Sequence, residues 1–114
     1  MRPLTTTVRA TETGPVLTVT GELDFGTADE LRHVVTGLAL APGQRLVLDL
    51  EGLDFCDSSG ITAFIVARNH ALAARADIAL VSVPGSVLRI LRVTGLDQVF
   101  SVAPRQDTHR AGAD

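Results

Sequence analysis

Lysine, tryptophan and tyrosine are absent from this 114-residue chain, and cysteine occurs once. A single thiol, Cys56, excludes an internal disulfide and leaves no second sulfur for a zinc site. The only aromatics are four phenylalanines, so the core has to be built from leucine, valine, isoleucine and alanine. All ten basic residues are arginines, and they form no stripe. Neutralising nucleic-acid phosphates requires clustered positive charge, so direct nucleic-acid binding is not expected at a net charge of −3. No apolar run reaches the length of a membrane span, and Met1 to Thr7 lacks the apolar stretch of a signal peptide. A cytoplasmic protein without a membrane partner is the expectation.

What is present is the composition of one folded domain: 46% hydrophobic, 20% charged, and long enough to bury a core without cross-links. Leu4 to Ala10 and Val16 to Thr20 are β-branched runs on either side of Glu12-Thr13-Gly14-Pro15, which predicts two antiparallel strands joined by a turn. Gly21 to Gly26 reads as a loop carrying Glu22 and Asp24. Thr27 and Glu30 have the spacing of a capping box. Behind them Ala28, Leu31, Val34, Val35 and Leu38 recur at helical spacing, and Pro42-Gly43 ends the element.

Leu46 to Leu50 is aliphatic enough to be a strand buried on both faces. Gly60 to Arg75 predicts a second helix, with Ile61, Phe64, Ile65 and Leu72 as its apolar stripe. Ile78 to Val83 is another strand. A third helix starts at Pro84-Gly85-Ser86, turns Val87, Leu88, Ile90 and Leu91 inward, and stops at Gly95. Val99 to Val102 is the last strand. The expected domain spans residues 1–104, followed by a polar, disordered tail over 105–114. Strands alternating with helices predict an α/β fold: a mixed, largely parallel sheet of four or five strands, antiparallel at one edge, with helices packed on it.

The most informative stretch is Leu53-Asp54-Phe55-Cys56-Asp57-Ser58-Ser59-Gly60, between a strand and the second helix. Partners and ligands bind at such strand ends in open α/β sheets. Asp57, Ser58 and Ser59 suit the plain role of helix caps, each worth about 1 kcal/mol. A phosphoryl group on Ser58 would add a charge of about −1.5 to −2 at a helix N-terminus whose N–H groups are expected to be unpaired. Glu22 and Asp24 compensate a helix dipole on the bland reading. On the functional one they lie beside the Ser58 turn and meet a basic partner.

Ile61, Thr62 and Ile65 are assigned mainly to the core, with part of that first turn available as contact surface. A serine hydrolase would need Gly-x-Ser-x-Gly, and Cys56 stands where the first glycine belongs. His33, His70 and His109 offer neither an obvious general base nor ligand spacing for a metal. No Walker-type loop is present, so no cofactor is expected. Cys56 reads as a packed thiol.

Gly21-Glu22-Leu23-Asp24, the Leu46 to Leu50 strand, Asp57-Ser58-Ser59-Gly60 and Thr94-Gly95-Leu96 together resemble the sulphate-transporter and anti-sigma-factor-antagonist (STAS) family, on its bacterial anti-sigma-factor-antagonist branch. The resemblance spans about residues 5 to 103. It implies a non-enzymatic protein, a monomer when free, that binds a serine-kinase anti-sigma factor and thereby releases a sigma factor for transcription. It implies that Ser58 accepts phosphate from that kinase, which switches binding off, and that a serine phosphatase reverses the mark. The partner-binding residues it implies are Glu22, Asp24, Asp57, Ser58, Ser59, Gly60, Ile61 and Thr62. The short polar tail departs from relatives that carry a further C-terminal helix. The family's breadth supplies an alternative: an unphosphorylated adaptor subunit of a membrane lipid or anion transport system.

Overall fold

A computed structural model of the chain describes residues 3–105. The elements run β1 (Thr5–Thr11), β2 (Gly14–Leu23), α1 (Ala28–Thr36), β3 (Arg45–Asp49), β4 (Leu53–Cys56), α2 (Ser58–Ala73), β5 (Asp77–Val83), α3 (Gly85–Thr94), a short 3₁₀ turn (Leu96–Gln98) and β6 (Ser101–Pro104). β1 and β2 form the expected antiparallel hairpin, in register from Thr5↔Thr20 to Thr11↔Gly14. Every other pairing is parallel, in the order β1-β2-β3-β5-β6, with β4 also on β2. The α/β class and the mixed, largely parallel sheet are as expected, but the sheet has six strands rather than four or five.

The extra strand is β4, and it also extends β2. Gly21, Glu22 and Leu23 belong to β2 rather than to a loop, because Leu53 to Cys56 pairs alongside them. β3 occupies the first half of β2 and β4 the second, with a break between them at Leu50 to Gly52. The break frees backbone carbonyls that a continuous ladder would have used, and buried carbonyls need donors. Gly21 N–H donates to Gly52 O at 3.0 Å. The Arg105 guanidinium donates to Glu51 O at 2.5 Å and Leu53 O at 3.2 Å, while Arg105 N–H donates to Val83 O. Arg105 therefore continues the last strand's pairing instead of opening the tail. The expected disorder of 106–114 lies outside the described residues.

The strands β2, β3, β5 and β6 advance across the sheet in one direction. Right-handed crossovers then place α1, α2 and α3 on a single face. Burial agrees: Leu17, Val19, Gly21 and Leu23 of β2 are buried, whereas Val16, Thr18, Thr20 and Glu22, pointing the other way, are partly exposed. One core joins these strands to Ala28, Leu31 and Val35 of α1, Ile61, Phe64, Ala67 and Ala71 of α2, and Val87 and Leu91 of α3. Leu72, expected in the apolar stripe of the second helix, is instead half-exposed. Ala63, Ala67 and Ala71 are the small residues that let α2 pack closely. Gly95 ends α3 in the left-handed conformation at φ 79°.

Candidate functional site

β2 and β4 are parallel neighbours, so their C-terminal ends open onto the same rim of the sheet. Leu23 pairs with Cys56, and Asp57 N–H donates to Leu23 O at 3.2 Å. The turn before α1 and the start of α2 thus leave the sheet side by side. Glu22 at the end of β2 and Asp24 in the turn after it therefore lie beside the Ser58 turn.

The α2 start is capped by Asp57. Its Oδ1 accepts from Ser59 N–H at 2.8 Å and Gly60 N–H at 3.3 Å, and its carbonyl accepts from Ile61 N–H at 3.2 Å. This corrects the expectation of unpaired donors waiting for a phosphate: the carboxylate already takes the Ser59 and Gly60 N–H groups. Ser58 itself is exposed, as is Thr62, whose hydroxyl donates to Ser58 O at 3.0 Å. Ser59 is partly buried. A phosphoryl group on Ser58 would therefore stand in solvent next to a carboxylate, and its added charge would be felt by whatever faces this rim.

Gly60 and Ile61 are buried, and their contribution to the site is packing. A Cβ on Gly60 would lie 2.6 Å from Cys56 Sγ and 2.8 Å from Leu23 Cδ2. Only glycine lets α2 begin this close to the paired strand ends. Cys56 beneath it is a packed thiol as expected. Burial, with a smaller contribution from the Asp57 charge, pushes its pKa up to about 12, which holds it in the unreactive neutral form.

The turn before α1 is fixed differently from its expected capping box. Thr27 makes no side-chain bond into the helix. Its hydroxyl donates back to Glu22 O at 2.9 Å and accepts from Asp24 N–H at 2.9 Å. Asp24 Oδ1 accepts from Gly26 N–H and Thr27 N–H, and Asp24 O accepts from Thr27 and Ala28 N–H. An Asx turn at Asp24 has taken over the role assigned to Glu30.

Two residues of the rim were missed. Phe25, at the tip of this rigid turn, is 85% exposed, and Phe55 on β4 is 49% exposed. Phe55 faces outward because the β2–β4 register shifts: Gly21 pairs Leu53 and Glu22 pairs Phe55, leaving Asp54 as the extra residue. That bulge turns both Leu53 and Cys56 inward and Phe55 outward. The scarcity of aromatics, with Phe25 directly after Gly21-Glu22-Leu23-Asp24 and Phe55 just before the Asp-Ser-Ser-Gly turn, was the available signal.

The remaining polar groups lie elsewhere. His70 is about 18 Å along α2 from Ser58 at the usual helical rise, and its Nε2 is hydrogen-bonded to Leu38 O at 2.7 Å. It offers no general base to Ser58. Among the described residues no group of three His, Cys, Asp or Glu side chains is placed to hold a metal ion. None of their helices is long and apolar enough to cross a membrane.

The fold and the Asp-Ser-Ser-Gly turn at the rim define a STAS-type module. The STAS domain profile matches residues 5–111, and the chain belongs to that family. It is 29% identical over 85 residues to a STAS-domain containing protein of Pseudomonas aeruginosa, covering 75% of this chain and 83% of the relative. It is 24% identical over 84 residues to the anti-sigma-B factor antagonist of Listeria monocytogenes, 74% of each chain. Among solved structures, an anti-sigma factor antagonist from Mycobacterium paratuberculosis superimposes with a TM-score of 0.78 at 25% identity, covering 96% of this chain and 92% of the other.

Proposed function

We propose that this protein is an anti-sigma factor antagonist: unphosphorylated, it binds a serine-kinase anti-sigma factor at the Ser58 rim and so releases a sigma factor. Phosphorylation of Ser58 by that kinase ends binding, and a serine phosphatase restores it. The chain is substrate and ligand in this cycle, with no catalytic group of its own. The observation that carries the reading is the exposed Ser58 hydroxyl on a helix start already capped by Asp57. Such a serine is open to a kinase, and modifying it leaves the core untouched.

Glu22, Asp24, Asp57, Ser58, Ser59 and Thr62 form the contact surface, positioned from below by Gly60 and Ile61. The relatives named as anti-sigma factor antagonists support the partner class. Glu22, Asp24 and Asp57 present carboxylates to a basic partner surface, and a phosphoryl group on Ser58 repels those carboxylates and intrudes among them, which disturbs the contact. Calorimetry with the purified kinase tests this. Ser58→Ala is expected to bind as the wild type does, and Ser58→Asp to bind at least about tenfold more weakly. Equal affinity for the two variants would reject the switch.

A further inference from the structure

The end of the sheet opposite the Ser58 rim carries a cleft. β3, β5 and β6 begin there, and the last turns of α2 return to it. Arg45 and Asp77 are register partners at the first positions of β3 and β5. Their backbone is fixed by Arg45 N–H donating to Thr13 O and Asp77 N–H to Gln44 O, both at 2.8 Å. Ser101, the first residue of β6, pairs with Ala79 two residues further along β5. Arg68 and Leu72 stand one turn apart on α2, and Val99 just precedes β6. These side chains line a cavity of about 290 Å³, close to the lower limit of about 300 Å³ for small-molecule sites.

The lining has an apolar part and a cationic part. Leu72 and Val99 are 48% and 40% exposed, so two of the large apolar side chains that the fold leaves in water share one cleft. Arg45 and Arg68 supply two guanidiniums. Among the described residues neither is ion-paired, although Asp77 stands opposite Arg45 in the ladder. Arg32 and Arg105, by contrast, each pair with a carboxylate. A guanidinium fork binds oxygens two at a time. A carboxylate is saturated by one such fork, whereas the three terminal oxygens of a phosphate monoester have room for two.

We propose that this cleft is a second binding site, for a small phosphate monoester whose head is held by Arg45 and Arg68 and whose apolar body lies on Leu72 and Val99. Asp77 faces the same space and works against the negative head, which gives its removal a sign of its own. The site is remote from the proposed switch: Arg68 lies ten residues beyond Ser58 on α2, about 15 Å at the usual helical rise. It needs neither a kinase nor a modified serine, so it stands or falls apart from the functional reading above.

The test titrates the full chain with phenyl phosphate and follows its amide NMR shifts. Saturable binding with a Kd of about 1 mM is expected for a ligand of so few atoms, with the shifts clustered at Arg45, Arg68, Asp77 and Ser101. Arg45→Gln and Arg68→Gln should each weaken binding about fivefold, and Asp77→Asn should tighten it. Arg89→Gln, at an exposed position of α3 outside the cleft, should leave it unchanged. Urea midpoints of the variants should match the wild type, which separates lost binding from lost folding. Inorganic phosphate, without the apolar body, and benzoate, without the third oxygen, should both bind more weakly. Shifts that grow without saturating, or that spread over arginines at large, would overturn the site. Benzoate binding as tightly as phenyl phosphate would overturn the ligand class.

Discussion

The two turns that leave the rim are neighbours built from similar residues, yet they do different work. Before α1, Asp24 and Thr27 satisfy one another and the nearby backbone, and what they present outward is an aromatic ring, Phe25. Before α2, Asp57 caps the helix directly and the group presented is a hydroxyl, Ser58. In each turn an aspartate carboxylate already accepts two backbone N–H groups. The difference is what lies beneath. The α2 turn rests on Gly60 against Cys56 and Leu23, with no space to spare. The α1 turn holds its shape through hydrogen bonds. A surface turn can thus be made rigid by packing or by polar bonds, and one rim uses both.

Breaking the packed turn should have the largest effect. Gly60→Leu pushes a branched side chain into Cys56 Sγ and Leu23, and overpacking of this kind costs about 3 kcal/mol. Gly60→Ala should cost about 2 kcal/mol on the same grounds. The double variant Gly60→Ala with Cys56→Ala should recover part of it, because one of the colliding atoms is gone. Urea denaturation reads all three.

Next come the caps, each worth about 1 kcal/mol. Asp57→Ala loses two N–H acceptances at the α2 start, whereas Asp57→Asn keeps an acceptor and should stay near wild-type stability. Thr27→Val removes the hydroxyl bridging Glu22 and Asp24 and should cost about 1 kcal/mol. Its distinguishing sign is a loss of amide-exchange protection confined to the α1 turn. If Asp57→Ala loosens both turns equally, the two are one unit and the contrast between them fails.

A smaller effect sharpens the packing side. The Cys56 thiol titrates near 9.0 when unfolded and at about 12 when folded. The folded state thus favours the neutral thiol. Its contribution is fully present below pH 9 and is lost as pH rises from there toward 12. The wild type should lose more stability than Cys56→Ala over that interval, measured by urea midpoints. At pH 8 the native thiol should be unreactive toward iodoacetamide and become reactive in urea.

Much of this architecture is legible in the residues. The aliphatic runs at Leu46 and Ile78, the breakers at Pro42-Gly43 and Gly95, and the spacing of Leu31, Val35, Val87 and Leu91 state the α/β alternation directly. The Asp-Ser-Ser-Gly turn is placed correctly because its cap obeys a local rule, an acceptor two and three residues before the N–H groups it serves.

The rest depends on non-local register. Strict alternation puts Leu53 and Phe55 on one face and Asp54 and Cys56 on the other. A bulge reverses this, and nothing within four residues announces it. Thr27 and Glu30 have capping-box spacing, but the Asp24 carboxylate takes the Thr27 N–H that Glu30 would have served, and Glu30 N–H bonds to Thr27 O. Ile61 and Leu72 sit in one apolar stripe by period, yet Leu72 is 48% exposed while its neighbour Ala71 is fully buried. Phe25 and Phe55 are exposed because of their positions at a turn tip and on a bulged strand end, which no periodicity states.

The central claim is that Ser58 is a phosphoacceptor gating this rim. It is tested most directly by incubating the protein and its Ser58→Ala variant with ATP in lysate of the native host, then mapping phosphate by mass spectrometry. Trypsin releases Leu46 to Arg68 as one peptide containing Ser58, Ser59 and Thr62, which fragmentation separates. ATP-dependent phosphate on Ser58, absent from the variant, is the predicted result. An unmodified peptide in a lysate whose serine kinases are demonstrably active, or phosphate that persists in the variant, would contradict it.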